Sequence, residues 1–450
     1  MIRTVLAVSV VALGAAACAT AWQPSYNAVA PVQAQDSYYV KGHNAVAARA
    51  SERGAGHAKN VILFVGDGMG ISTITAARIY AGQTKGLDGE SYQLAMEKLP
   101  YSAFSKTYTH DSQVADSAPT AVAMTTGVKS YNGTLGVTQA ANIKDCASAK
   151  TSGTTSLWEI AEDAGKATGI ISTARITHAT PAATYAETVE RDWESDKDVS
   201  AAGKAAGCTD IASQLVAWQS AHGNGFDVIL GGGRTNFLPN TVADPEYANQ
   251  KGNRVDGRNL VDEWKAGAPN RTAVIDRAGF NAFNWNSDGQ IFGLFEPSHM
   301  QYELDRAKDG KGEPSIAEMT KSAITRLSRN ANGYVLMVEG GRVDHGLHAG
   351  DAQRALGDAA ALDEAIAAAV AATDPKDTLI IVTADHSHTL ILQGYPQRGN
   401  PILGLVKEND KLVKALDGKP YTTLSFANGP GSVCKPQADG KWLCERPDLT

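Results

Sequence analysis

Four short segments hold the residues best suited to chemistry. In VEGGRVDHGLHAGD, Glu339, Asp344 and His348 follow an apolar run directly. Asp344 and His348 are four apart, so on a helical turn they share a face and can hold one cation. Glu339 precedes the turn and is placed for a different, harder cation. A solvated polar turn with a helix cap is the plainer alternative, but an acid–histidine cluster straight after a buried strand favours metal. TADHSHT adds Asp385, His386 and His388. Adjacent Asp and His at a strand end can both reach one zinc, whose ordinary ligands are carboxylate oxygen and imidazole nitrogen. His388 reads equally well as a group behind the ligands or as a packed side chain. VGDGMG sets Asp67 between glycines, which let the backbone crowd close to an ion or a phosphate. It matches neither a Walker A loop nor a dinucleotide fingerprint, which gives nucleotide binding little support. ADSAPTAVAMTTG carries the nucleophile candidate, Ser117, with Pro119 and small residues behind it. That is the composition of a tightly packed helix opening at the serine. A serine there is commonly only an N-cap. A helix N-terminus also favours an anion, and a nearby zinc would lower the hydroxyl pKa. There is no G-x-S-x-G elbow and the histidines are committed to metals, so a Ser-His-Asp triad is disfavoured.

These groups need elements to position them. Apolar runs that end abruptly in polar residues occur at 61–65 (VILFV), 169–173 (GIIST), 227–233 (DVILGGG), 334–341 (YVLMVEGG) and 378–386 (TLIIVTADH). Runs of this length suit strands buried on both faces. Ala-rich stretches with helical spacing, at 120–126 and 355–372, lie between them. The alternation predicts an α/β fold with a mostly parallel central sheet and helices on both faces. In such sheets ligands gather beyond the carboxyl ends of the strands, where three runs deliver Asp67, Glu339 and Asp385. From about Gly394 the pattern weakens into QGYPQRGNP and FANGPGS, which reads as a small inserted surface subdomain. The expected division is a leader at 1–20, an N-terminal linker or arm at 21–58, the α/β domain at 59–393 and the insertion at 394–450.

The 450 residues suffice for one large α/β domain with insertions. With 43% apolar and 20% charged residues, the composition is globular. A net charge of -7 leaves no basic footprint for nucleic acid, while bound cations would still admit anionic substrates. At the N-terminus, MIRTVLAVSVVALGAAACATA places Arg3 before a short apolar run and then small residues. This is a secretory signal rather than a membrane span, so the protein is expected to be periplasmic or secreted. Cleavage near Ala19 fits; Cys18 is the alternative, as a lipid anchor, although Ala15 stands where the lipobox has a larger aliphatic residue. Four cysteines remain, and an even count in an exported chain suggests two disulfides. Cys434 and Cys444 are close enough to staple a small loop, leaving Cys146 and Cys208 for a longer one. The competing zinc site lacks paired C-x-x-C spacing.

In combination and in order, VGDGMG, DSAPTA, HATPAATYAETVERDW, VEGGRVDHGLHAGD and TADHSHT resemble the alkaline phosphatase family, its animal-type branch more than its enteric bacterial form. The resemblance runs from about Asn60 to the end of the chain. The pairing of Cys146 with Cys208 and a crown-like loop at Cys434 and Cys444 match that branch too. It implies a phosphate monoester hydrolase, acting on small substrates through a phosphoserine at Ser117 with two zinc ions and one magnesium, and assembled as a homodimer. One zinc would be held by Asp67, Asp385, His386 and the Ser117 oxygen, and the second by Asp344 and His348. Magnesium would take Asp67, Thr180 and Glu339. Arg191 would grip the non-bridging phosphate oxygens, with His178 and His345 beside the cluster. A structural calcium would fall on Glu246, the Phe295 carbonyl, Glu296 and Glu313.

The family's second zinc has one more histidine near the C-terminus. No histidine follows His388 here, and the chain stops at ERPDLT. A truncated, weakly active or inactive metal- or phosphate-binding remnant is therefore an alternative. A phosphodiesterase or sulfatase of the same superfamily is another, although Arg191 with a three-metal ligand set favours monoesters.

Overall fold

The computed structural model describes residues 32–50, 57–427, 433–436 and 442–445. The leader and Cys18 lie outside them.

The apolar runs become strands because β-branched and large apolar side chains suit a pleated surface packed on both sides. The strands are β1 (Asn60–Gly66), β2 (Ala167–Arg175), β3 (Val228–Gly232), β4 (Arg271–Val274), β5 (Gln290–Leu294), β6 (Tyr334–Gly340) and β7 (Thr378–Ala384). They form one sheet in the order β4-β5-β3-β2-β6-β1-β7, every neighbouring pair parallel. Side chains alternate across β1: Ile62 and Phe64 enter one apolar layer, Leu63 and Val65 the other. The first layer is roofed by the helices Ile71–Thr84, Ile316–Leu327 and Ala352–Ala372. The second is roofed by Ser117–Thr126, Leu157–Asp163 and Ile211–Ala221. In Ala352–Ala372, buried Ala355, Leu356, Ala359, Leu362, Ala365, Ile366 and Ala369 keep the three- and four-residue spacing of one helix face. The mostly parallel α/β expectation holds.

Three expectations change. β7 is an edge strand, and Leu379 (47%) and Ile381 (41%) are exposed, so this run is not buried on both faces. β4 and β5 were not among the apolar runs. RTAV and QIFGL are too short and too polar at their starts to announce themselves, and they are paired by β3 and by each other. The arm at 21–58 contains a helix, Ser37–Ala50, preceded by Gln33, whose buried amide donates to the Thr126 and Thr155 carbonyls at 3.0 and 2.8 Å.

Cys146 and Cys208 form a disulfide across 62 residues of sequence. Beyond residue 389 the described chain makes small antiparallel pairs. Leu390–Leu392 pairs with Leu424–Phe426, and Lys407–Glu408 pairs with Lys411–Leu412. The latter turn holds Asn409 and Asp410 at positive φ, the residue types that tolerate it in a two-residue hairpin. Val433–Pro436 pairs with Trp442–Glu445 in a register that sets Cys434 opposite Cys444; the side chains, and so the expected bond, lie outside what is described. No described helix is long and apolar enough to cross a membrane.

Candidate active site

Strand register gathers the acids. Gly66 lies beside Gly340 on one side and Ala384 on the other, so Asp67 and Asp385 leave the sheet as neighbours. Glu339 pairs in register with Val65 and Ser172. The helix Arg342–His348 then folds Asp344 over the same strand ends. All four carboxylates are buried: Asp67 and Glu339 at 0% exposure, Asp385 at 2% and Asp344 at 5%. Gly68 sits at φ +63 with its backbone N–H donating to Asp385 Oδ1 at 3.0 Å. A Cβ there would lie 2.9 Å from Asp344 Oδ1, so both conformation and space demand glycine.

Ser117 opens its helix as expected. Asp116, not Ser117, is the N-cap: its Oδ1 accepts from the Ala118 N–H at 2.7 Å. That leaves the serine hydroxyl free to face the cluster. Ser117 Oγ stands 3.3 and 3.4 Å from the Asp67 oxygens and 3.1 Å from His386 Nε2. His386 Nε2 in turn lies 3.5 Å from Asp67 Oδ1 and 3.4 Å from Asp385 Oδ2. His348 Nε2 is 3.4 Å from one Asp344 oxygen, and His388 Nε2 is 3.5 Å from the other. Ligand atoms about 2.0–2.1 Å from a tetrahedral zinc stand roughly 3.3–3.4 Å apart, so these spacings are those of a ligand shell.

Three groups of side chains place donor atoms within 4.8 Å of one another: Asp344, His348 and His388; Asp67, Asp344 and His386; and Asp67, His178 and Glu339. His388 is therefore a third member beside Asp344 and His348, where the sequence carried only two. The Thr389 N–H donates to its Nδ1 at 2.8 Å. The neutral ring therefore carries its proton on Nε2, the nitrogen nearest Asp344 Oδ1, without a hydrogen bond between them.

The residues present fit cations. Asp344 Oδ1, Asp385 Oδ2, Glu339 Oε1 and His178 Nδ1 are all buried without a hydrogen-bond partner. Each such group costs about 1–3 kcal/mol, more when charged, unless something satisfies it. Burial, then Asp385, Asp344 and Glu339, holds the Asp67 carboxyl well above the usual range. Burial raises Asp344 as well. It pushes Glu339 up to about 7 against the pull of the hydrogen bond from Ser172. Thr180 is itself fully buried, on the short helix Ala179–Ala182. So many acids crowded in one dry place call for positive charge.

Arg191 supplies some of it. Its Nη1 donates to Asp116 Oδ1 at 2.6 Å, and its Nη2 lies 3.1 Å from His178 Nε2. The loop that bears it is tied down by the Arg191 N–H to Gly133 O at 2.8 Å, and by a short hydrogen bond from the Gly133 N–H to Asp116 Oδ2. His178 and His345, expected beside the cluster, stand with ring centroids 5.5 Å apart. His299, which the sequence reading missed, joins them at 5.5 and 4.1 Å. Each ring faces a guanidinium: His178 meets Arg191, His299 meets Arg175, and His345 meets Arg342. Burial, then neighbouring cations and rings, drives His178 and His299 down and His345 to about 3, so they act as neutral acceptors.

A second acidic group lies apart from this cluster. Glu246, Glu296 and Asp309 bring oxygens within 4.8 Å of one another. The sequence reading placed Glu246, Phe295, Glu296 and Glu313 there. Asp309 takes the place in the group, while Glu313 Oε1 accepts from the Gln301 N–H at 3.0 Å. Asp309 sits in the polar stretch AKDGKGE, whose composition offers nothing beyond a surface turn. Its two oxygens, Glu246 Oε1 and Glu313 Oε2 are buried and unpartnered. Burial, then Asp309, lifts Glu246 to about 7; burial, then Glu296, lifts Glu313 to about 9.

A family model described as alkaline phosphatase matches residues 58–441. The chain is 45% identical over 380 residues to the tissue-nonspecific isozyme of alkaline phosphatase from Gallus gallus, covering 83% of this chain and 71% of the relative. It is 45% identical over 379 residues to alkaline phosphatase from Gadus morhua, covering 83% and 77%. Among solved structures, alkaline phosphatase from Thermus thermophilus superposes with a TM-score of 0.60 at 29% identity, over 78% of this chain and 66% of that one. A cold-active Shewanella enzyme gives 0.57 at 27% identity, over 75% and 70%.

Proposed function

The chain belongs to the alkaline phosphatase family, and on that footing we propose that it hydrolyses small phosphate monoesters in two steps through a phosphoserine on Ser117. The observation that carries this reading is the position of Ser117 Oγ, within 3.4 Å of Asp67 and His386 beside the buried acidic cluster.

One zinc would be held by Asp67, Asp385, His386 and Ser117; a second by Asp344 and His348, with His388 against Asp344; magnesium by Asp67, Thr180 and Glu339. Bound there, the ions would supply Lewis acidity, lowering the serine hydroxyl pKa and offsetting charge on the transferring phosphoryl group. Ser117 gives its proton to solvent and its oxygen attacks phosphorus in line, on the helix N-terminus that favours the anion. The Ser117–phosphorus bond forms as the ester oxygen–phosphorus bond breaks, and the leaving oxygen takes up a proton from solvent. Arg191, aimed by Asp116 and His178, grips two non-bridging oxygens with its planar fork. Water then attacks phosphorus from the vacated side, returning the serine hydroxyl and releasing phosphate.

A structural calcium on Glu246, Glu296 and Asp309, with the Phe295 carbonyl and Glu313 at its flank, belongs to the same proposal; four unpartnered oxygens there support it. The Cys146–Cys208 disulfide supports an oxidising compartment, periplasmic or secreted. A homodimer, implied by the resemblance, is part of the same proposal.

The test is Ser117→Ala in metal-loaded protein. Turnover of p-nitrophenyl phosphate should fall by at least about a thousandfold, while inorganic phosphate still binds. Acid-quenched wild type should carry phosphate on the Ser117 peptide. Undiminished turnover in Ser117→Ala would end the proposal.

A further inference from the structure

Glu194 has no part in the chemistry above, yet four donors converge on its side chain, which is 12% exposed. Arg175 meets it with two prongs, Nε donating to Oε2 at 2.8 Å and Nη2 to Oε1 at 2.5 Å. The Thr177 hydroxyl donates to Oε2 at 2.6 Å, and the Asn236 amide donates to the same oxygen at 3.1 Å. Only an ionised carboxylate offers acceptors on both atoms, and its bonds to a guanidinium are the strong, charge-assisted kind. A glutamine there would turn its own amide hydrogens towards one of these donors.

The donors belong to the surroundings of Arg191. Arg191 sits in the turn at 190–193, closed by the Trp193 N–H to the Glu190 carbonyl at 3.2 Å, and Glu194 is the next residue. Thr177 directly precedes His178, whose Nε2 lies 3.1 Å from Arg191 Nη2. One oxygen, Glu194 Oε2, therefore ties the foot of the Arg191 turn to the residue that presents the imidazole facing Arg191. Arg175 extends the tie on the far side of that imidazole. Its Nη1 lies 2.5 Å from His299 Nε2, and the His299 ring stands 5.5 Å from that of His178. The contacts close a ring through Arg191, His178, His299, Arg175 and Glu194, and return along three residues of chain. Asp116 holds the Nη1 end of the Arg191 guanidinium, and this ring holds the other.

We propose that Glu194 is a positioning residue for phosphate binding, setting the Arg191 guanidinium against His178 through Thr177 and Arg175. The inference rests on Arg191 being the phosphate grip in the reading above, and a double-mutant cycle tests it. Glu194→Gln is made in the wild type and in Arg191→Ala, and kcat/KM for p-nitrophenyl phosphate is measured on metal-loaded protein. With Arg191 present the loss should be about tenfold, inside the hundredfold that a misplacement of about 1 Å can cost. Without Arg191 the same substitution should cost less than about twofold, since the group it sets is gone. A general loosening of the fold would cost the same factor in both backgrounds. Thr177→Val removes one donor, leaves the ion pair with Arg175, and is read in the same cycle should Glu194→Gln not fold; its loss should be about threefold and again require Arg191. Equal losses with and without Arg191, or no loss in the wild-type background, overturn the proposal. The cycle is repeated with inorganic phosphate affinity by calorimetry, which needs no turnover. Protein that binds phosphate through Arg191 yet turns nothing over overturns the phosphatase reading, and the binding cycle still decides the role of Glu194.

Discussion

One carboxylate, that of Asp116, caps the nucleophile helix, anchors the Gly133 turn and aims Arg191. Substitution can separate these duties. Asp116→Asn keeps one oxygen for the cap but loses the charge and the oxygen that accepts from the Gly133 N–H, so KM for p-nitrophenyl phosphate should rise several-fold while the urea midpoint falls less than in Asp116→Ala. Asp116→Ala should show the same kinetic loss and also about 1 kcal/mol lower stability from the lost cap. If both variants shift KM and stability alike, the cap and the ion pair are not separable in this way. His388 is the other informative side chain. Held against Asp344 at 3.5 Å, it should slow zinc loss from the site it shares with His348. His388→Gln should then release one zinc equivalent to a chromogenic chelator faster than wild type does, a readout independent of turnover. Identical release curves would reduce His388 to packing.

At the scale of elements, the nucleophile is only as well placed as its helix. Ala118, Ala121 and Val122 of Ser117–Thr126 are fully buried against the sheet face that includes Val65 and Ile170. Small residues let the helix approach closely, which is why the run at 117–126 is so poor in large side chains. Ala121→Leu should overpack this contact, lowering stability by about 1–3 kcal/mol and kcat along with it. The Cys146–Cys208 bond acts on a longer element. It closes the segment that bears His178, Thr180 and Arg191. Replacing both cysteines by serine should lower stability by about 2–4 kcal/mol through the freed loop. It should also raise KM, because the guanidinium is carried on that loop. A variant with wild-type denaturation and kinetics would show the loop to be held by its packing alone.

For the molecule as a whole, the buried acids make stability depend on metal and pH together. Glu339, ordinary value 4.5, is lifted to about 7, and Asp358 to about 8, both by burial first. A carboxyl whose folded value is raised binds more protons in the native state than in the unfolded one. Its contribution is complete at acid pH and is lost as pH climbs through the folded value. Metal-free protein should therefore lose on the order of 1–3 kcal/mol from Glu339 between about pH 5 and pH 8. Cations at the cluster reverse the sign, since they bind the ionised ligands. The difference in Tm between metal-loaded and chelator-treated protein should widen steadily over that range. A difference that stays constant would mean these carboxylates are not the ligands.

The sequence by itself determined a good deal here. The long apolar runs are strands because nothing else buries them, and an acid or histidine placed just past such a run must emerge at one end of a parallel sheet. Ser117, Asp67, Asp344, His348, Asp385 and His386 were legible on those grounds, because each lies next to its own signal. Three-dimensional packing decided what no local pattern carries. Strand order put β1 between β6 and β7, and only then do Asp67 and Asp385, more than 300 positions apart in the chain, become neighbours. His299 and Asp309 come from loops without distinctive composition and are recruited through space, while His388 is told apart from a packed ring only by its distance to Asp344. The exposed face of β7 and the short strands β4 and β5 follow the same logic. Periodicity reports which side chains share a face, but adjacency belongs to the folded chain, and a metal or a phosphate is held by adjacency.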